Sequence, residues 1–344
     1  MAQGGWTKPL VSAVSLLVLL GAQSGAEAPP AAGARPAAGA PSAHSAPAEA
    51  TQAEGVHPEW NPHNPAFRAF YGGGGLYWSW EILRSGEYEI AYHIFPPRDQ
   101  PRGTVFLVHG FLEHTALTIP SVRILVDAGW EVVGIDLPGH GLSSGPRATI
   151  DDFATYGRAL LAVEGANDWP RPWRGYGHST GCAALVEAEA LAPGRLDSLF
   201  FEAPLVRSWA WGASVFGYTV LGWLNPSLPS GGRGSSRDPA FVRLMEGDPL
   251  RPRHFPLSWF KALEGFQGEI KTMGPFAPSL TLIQGGDDRV VDAAYNLPLL
   301  ASLFPKHSIH MILGARHYLF RDPARGQAES ILAAWASDGE SPLD

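Results

Sequence analysis

One serine between glycines, two aspartates in a glycine turn and a histidine behind another glycine turn follow each other along this chain. Together they have the groups needed for nucleophilic acyl transfer. The serine is Ser179, in Gly177-His178-Ser179-Thr180-Gly181. A hydroxyl is a weak nucleophile until a base takes its proton and a third group holds that base in the right tautomer. His317, in Gly314-Ala315-Arg316-His317, is the candidate base. Asp288, in Gln284-Gly285-Gly286-Asp287-Asp288, is the candidate orienting acid, and Asp287 and Asp292 are its rivals, because placement within a loop is not encoded to one residue.

Such groups work only if the surrounding elements deliver them to one point. The apolar run Trp173–Tyr176 precedes the pentapeptide and the helix-compatible stretch Cys182–Leu191 follows it. Strand, sharp turn and helix make a nucleophile elbow, and flanking glycines let the helix pack close behind a strained serine. A chain with 40 glycines contains G-x-S-x-G by chance at an appreciable rate. The order Ser…Asp…His adds the specificity, since it differs from the orders in the chymotrypsin and subtilisin folds. His109-Gly110-Phe111 follows the run Thr104–Val108, so the N–H groups of Phe111 and Thr180 are the expected oxyanion donors. Glu113 and His114 could order that loop or the insertion, or could be surface residues. Asp136 to Ser143 (Asp-Leu-Pro-Gly-His-Gly-Leu-Ser) reads as a turn whose Asp136 and His140 bond locally. His57 and His63 match no metal-site spacing, so neither a metal nor another cofactor is expected. Cys182, the one cysteine, reads as a small packing residue behind the elbow.

Strand and helix signals alternate around this centre. Tyr88–Phe95 alternates in polarity, and Thr104–Val108, Glu131–Ile135, Trp173–Tyr176, Leu196–Phe201, Leu280–Gln284 and Ile309–Leu313 are apolar runs of buried-strand length. Ser121–Ala128, Ile150–Val163, Cys182–Leu191, Ala293–Leu303 and Ala324–Ala336 suit helices. The pattern predicts an α/β fold with a mostly parallel sheet covered by helices on both faces. It breaks at about 205–277, where Trp209, Trp211 and Trp223 stand among apolar residues on all sides of the chain. Such a segment suits a helical lid that holds a greasy ligand and offers a peripheral contact to a membrane. An ordinary packed insertion is the plainer alternative.

The 344 residues, 45% of them hydrophobic, suffice for one large core with an insertion. A net charge of −8 without a Lys/Arg cluster argues against nucleic acid as a partner. Lys8, the apolar stretch of thirteen residues Leu10–Ala22 and the small-x-small triplet Ala26-Glu27-Ala28 read as a signal peptide over 1–28, predicting export. The alternative is an uncleaved membrane anchor. Ten alanines and five prolines among residues 29–50 mark 29–56 as a linker without a core, followed by an aromatic and Gly-rich extension at 57–85 and the main domain at 86–344.

These motifs resemble a family. Val108-His109-Gly110-Phe111-Leu112-Glu113-His114, the Asp136 to Ser143 turn, the elbow, Asp248-Pro249-Leu250 and Gln284 to Arg289 are similar to the monoacylglycerol lipase and lysophospholipase group of α/β hydrolases. The resemblance spans roughly 86–335. It implies the α/β-hydrolase fold, Ser179, Asp288 and His317 as the triad, an acyl-enzyme, and a small-molecule or lipid ester as substrate. The signal segment and the Trp-rich insertion depart from cytosolic members. Two other readings stay open: a serine aminopeptidase of the same superfamily, for which Glu246 and Asp248 could hold a free amine, and a binding module on a hydrolase scaffold.

Overall fold

The computed structural model describes residues 59–230 and 234–337, so the expected signal peptide, the linker and His57 lie outside the described residues. A short helix, α1 (Pro65–Phe70), capped by the Asn64 side chain, leads into an antiparallel hairpin of β1 (Ser79–Ser85) and β2 (Tyr88–Phe95). Alternation follows: β3 (Thr104–Val108), α2 (Ile119–Asp127), β4 (Glu131–Ile135), α3 (Ala154–Glu164), β5 (Trp173–His178), α4 (Thr180–Leu191) and β6 (Ser198–Glu202). The insertion holds α5 (Trp211–Leu221), β7 (Ser227–Pro229), α6 (Pro239–Gly247), β8 (His254–Pro256) and α7 (Ser258–Glu269). The chain closes with β9 (Ser279–Gly285), α8 (Ala293–Leu303), β10 (His307–Ile312) and α9 (Arg325–Ala336). The eight sheet strands lie in the order β1-β2-β4-β3-β5-β6-β9-β10 and are parallel from β4 to β10.

The strands read as continuous apolar runs because both faces are covered, and alternate residues feed two cores. Phe106, Val108, Val133, Leu199, Phe201 and Leu282 face the layer of α3, α4 and α7. Val105, Leu107, Val132, Tyr176, Phe200 and Ile283 face the other, with α2, α9 and the aromatic segment around Phe67, Tyr71 and Trp78. α4 is apolar nearly all round and almost wholly buried, since it sits between the sheet and α3.

The N-terminal boundary of the domain differs from the sequence reading. Ser79–Ser85, placed in an extension outside the domain, is the first strand of the sheet. It is an edge strand with no buried residue on either face, and its apolar Trp80, Ile82 and Leu83 do not keep to one side, so no period of two marks it. In the insertion, α5 has no fully buried residue. Trp211, Val215, Tyr218 and Leu221 lean on the core, while Phe216, Val220, Trp223 and Leu224 are exposed. Left-handed residues bound this segment, Ala210 at φ 56° and Asn225 at φ 40°.

Candidate active site

Ser179 stands between the last residue of β5 and the first of α4 in a backbone conformation of φ 51°, ψ −110°. A non-glycine residue there costs on the order of 1–3 kcal/mol and needs a surround that holds it. Three bonds do so: Ser179 N–H donates to Glu202 O at 2.9 Å, and Ser179 O accepts from Cys182 and Leu205 N–H at 3.1 and 3.2 Å. The flanking glycines are sterically required. A Cβ on Gly181 would stand 2.1 Å from Val108 O, and one on Gly177 would stand 2.7 Å from Cys182 N. Cys182 itself is buried with its thiol bonded to Gly177 O, and burial drives its pKa well up, so it is a packing residue.

Of the three candidate carboxylates, the fold brings one to the histidine. His317 Nδ1 lies 2.9 Å from Asp288 Oδ2, with both side chains at most 5% exposed. The same oxygen accepts from Gln284 Nε2 at 2.9 Å, and Oδ1 accepts from Val290 and Val291 N–H at 2.7 and 3.3 Å. Burial works to raise the Asp288 pKa, but the His317 charge and these hydrogen bonds outweigh it and hold the carboxyl below its usual range. Asp287 is exposed and paired with Arg237, and Asp292 caps α8 by accepting from Tyr295 N–H.

Ser179, Thr180, Phe111 and His317 line one cavity of about 800 Å³. The loop that carries Phe111 is fixed from two sides. His109 donates from Nδ1 to Gly110 O at 2.8 Å and accepts from Leu137 N–H at Nε2, a neutral tautomer that burial favours by lowering its pKa. The Phe111 ring stacks on Trp259 at 3.8 Å.

Glu113 and His114, read in part as surface residues, are buried. Both oxygens of Glu113 reach His178 Nδ1, at 3.0 and 3.1 Å, and one also accepts from Gly110 N–H. Burial opposes charge on both partners, yet their mutual attraction prevails, raising the His178 pKa and lowering that of Glu113. The His178 ring packs 4.8 Å from that of His317, so one ion pair underlies both the loop of Phe111 and the candidate base. His178 occupies a variable position of the pentapeptide, which gave the sequence reading no reason to single it out. His114 Nε2 meets Asp248 Oδ2 at 2.8 Å, and Tyr71 O–H donates to the other Asp248 oxygen. Asp248 is thus committed inside the protein, and neither it nor Glu246 lines the cavity, which corrects their assignment as amine ligands.

The three tryptophans divide. Trp209 lines the cavity. Trp211 stands behind that wall, 5.1 Å from the Phe260 ring, and Trp223 is 80% exposed. The lining instead includes Tyr218, Leu228, Phe255, Trp259 and Phe260, whose spacing across separate elements left no local signature. In the Asp136 turn, Asp136 accepts from Leu142 and Thr115 N–H and pairs with His93, a structural role.

Residues 99–324 match the family described as serine aminopeptidase, S33. The chain belongs to this family of α/β hydrolases. It is 27% identical over 262 residues to the monoacylglycerol lipase of Mycolicibacterium smegmatis, covering 73% of this chain and 93% of that one. It is 29% identical to the Homo sapiens monoglyceride lipase over 70% of this chain and 83% of that one. Among solved structures, a soluble variant of the Saccharomyces cerevisiae monoglyceride lipase bound to a substrate analogue superposes with a TM-score of 0.65 at 18% identity, covering 76% of this chain and 96% of that one. The Paleococcus ferrophilus monoacylglycerol lipase does so with 0.60 at 22%, covering 75% and 99%. The chain is thus an α/β hydrolase similar to monoacylglycerol lipases.

Proposed function

We propose that this protein hydrolyses single-chain acyl esters such as monoacylglycerols or lysophospholipids through an acyl-enzyme on Ser179. The observation that carries the proposal is the meeting, in one cavity of about 800 Å³, of Ser179 and the Asp288-held His317 with a wall of Leu205, Trp209, Tyr218, Leu228, Phe255, Trp259, Phe260 and Leu263. Apolar pockets with a few convergent polar groups are where such ligands bind. Ser179 Oγ attacks the ester carbonyl carbon while His317 Nε2 takes its proton. The N–H groups of Phe111 and Thr180 receive the oxyanion. The tetrahedral intermediate collapses, the C–O bond breaks, and His317 returns the proton to the departing alcohol. Water, deprotonated by His317, then attacks the acyl-enzyme and releases the fatty acid.

Exposed Phe216, Val220, Trp223 and Leu224 support a contact of this face with lipid, next to the cavity wall. The Leu10–Ala22 segment supports export, with the protein working outside the cytoplasm or held at a membrane by that segment. A serine aminopeptidase would need carboxylates in the cavity for a free amine, and those lining it, Glu113 and Asp287, are paired with His178 and Arg237.

The test is labelling of Ser179 by a fluorophosphonate probe together with turnover of p-nitrophenyl acyl esters and aminoacyl-nitroanilides. Labelling with ester turnover is expected. Nitroanilide turnover above ester turnover would make the protein a peptidase, and folded protein that takes no label would make it a binding module.

A further inference from the structure

β10 closes the sheet on one side, and among the described residues no strand pairs with its outer edge. Leu280 N–H donates to Lys306 O and Gly286 N–H to Ile312 O, so the even-numbered residues of β10 direct their backbone groups to β9. Ile309 and Met311 hold theirs toward the open edge. His307 and Ile309 are in register with Leu280 and Leu282, which sets the odd-numbered side chains on the face of the sheet that α8 covers. α8 leaves them open all the same: Ile309 is 39%, Met311 46% and Leu313 82% exposed.

The opposite edge of the sheet is protected and this one is not. Charges, prolines and bulges keep an edge strand from recruiting another. β1 carries exposed Glu81 and Arg84, whereas β10 has no carboxylate, Lys, Arg or Pro and runs beside β9 for six residues in unbroken register. α8 is also without a charged side chain, and Ala294, Pro298 and Ser302 are on its outside. From Val290 to Leu313 the charged residues are Asp292, which caps α8, and Lys306. In a chain of net charge −8, such a stretch lets two copies meet without setting like charges face to face, and depletion of charge marks the centre of an interface.

We propose that β10 pairs antiparallel with β10 of a second copy of this chain, about a two-fold axis at His310, and joins two eight-stranded sheets into one. Reversal about that axis sets Ile309 opposite Met311 of the other copy and His307 opposite Leu313. The residues brought opposite each other are those whose N–H and C=O groups face outward, so both the ladder and the apolar row are self-complementary, as a two-fold contact requires. The exposed row amounts to on the order of 300 Å² of apolar surface, the size of patch that marks contact sites on monomers. The strand backbone and the uncharged flank of α8 from each copy extend it toward the roughly 800 Å² per partner of a specific interface.

Sedimentation velocity of the full chain from about 1 to 100 µM tests the proposal, and a dimer with a Kd on the order of 10 µM or tighter is expected. Ile309→Lys with Met311→Lys, at exposed positions, should give a monomer with an unchanged circular dichroism spectrum. Ile309→Cys with Met311→Cys gives a second reading. On oxidation it should link two copies far faster than Phe216→Cys, an exposed comparator, since the one native cysteine, Cys182, is buried. A monomer at about 100 µM, a dimer that the two lysines leave intact, or cross-linking no faster than at position 216 would overturn the proposal. So would a dimer abolished by Trp223→Ser, which would put the contact on the insertion. A monomer whose β10 amides are still protected from exchange would mean that a segment of the same chain covers the edge, and would overturn it too.

Discussion

Asp288→Asn should abolish most turnover while leaving the fold intact, and the structure says why. An asparagine in this place has one acceptor oxygen where the carboxylate had two. Val290 and Val291 N–H, at 2.7 and 3.3 Å from Oδ1, hold that oxygen on their side. The new NH₂ then takes the Oδ2 position, facing His317 Nδ1 and Gln284 Nε2. Gln284 adapts at little cost, because its Oε1 is buried without a partner and an amide flip turns it toward the new donor. His317 can adapt only by accepting at Nδ1, which moves its proton to Nε2, the nitrogen that must receive the proton of Ser179. The productive tautomer requires the opposite amide orientation, which strands one or two backbone donors at about 1–3 kcal/mol each. With the lost charge that steadied the imidazolium, the total is a drop of roughly 10³–10⁴ in kcat. Turnover of a p-nitrophenyl acyl ester measures it, with thermal melting as the control on folding. Asp292→Asn is the comparator, since asparagine caps α8 as well as aspartate does. A loss below about tenfold for Asp288→Asn, or one equalled by Asp287→Asn, would refute the tautomer argument.

Ser179→Ala and His317→Ala should each remove activity by about 10⁴–10⁶, and the double variant should be no worse, as for groups that act as one unit; a tenth of the activity surviving in either folded variant would exclude the assignment. The charged form of His178 is favoured in the fold, so its stabilisation is fully present below the unfolded value of about 6.5 and is lost as pH rises through its raised folded value. Thermal stability should therefore fall from pH 6.5 toward pH 9, and the fall should flatten in Glu113→Gln/His178→Gln; an unchanged slope there would count against the pair. Phe216→Ser with Trp223→Ser, at exposed positions, should lower activity on vesicle-borne ester several-fold more than on a soluble short-chain ester; equal loss on both would remove the membrane contact.

What the sequence disclosed follows from what each residue type needs. The elbow was legible because two glycines and a serine at fixed spacing answer a steric demand that the structure bears out at 2.1 and 2.7 Å. Asp288 could be ranked above Asp287 and Asp292, but only the β9 and β10 loops, folded side by side, separate a carboxylate at His317 from one at Arg237. The Glu113–His178 pair joins residues 65 positions apart and has no periodic trace. Trp223 was a fair candidate by composition, yet the turn after α5 that carries it leaves its side chain exposed. The first strand was hidden by its position at the sheet edge, and the aromatic segment before it packs under the sheet where no local pattern shows a partner.

The buried bridge of His114, Asp248 and Tyr71 has a consequence for motion. It pins the stretch just after α6 to the loop behind the cavity, while α5, on the other side of the insertion, has no fully buried residue and is bounded by the left-handed Ala210 and Asn225. The insertion is therefore mechanically asymmetric, a flap at 210–225 beside a fixed post at 248. Amide hydrogens of α5 should exchange through local openings far below the global unfolding free energy, and those around Asp248 only near it. A ligand would then enter past one edge of the cavity, and the loop of Phe111 would stay rigid while it does.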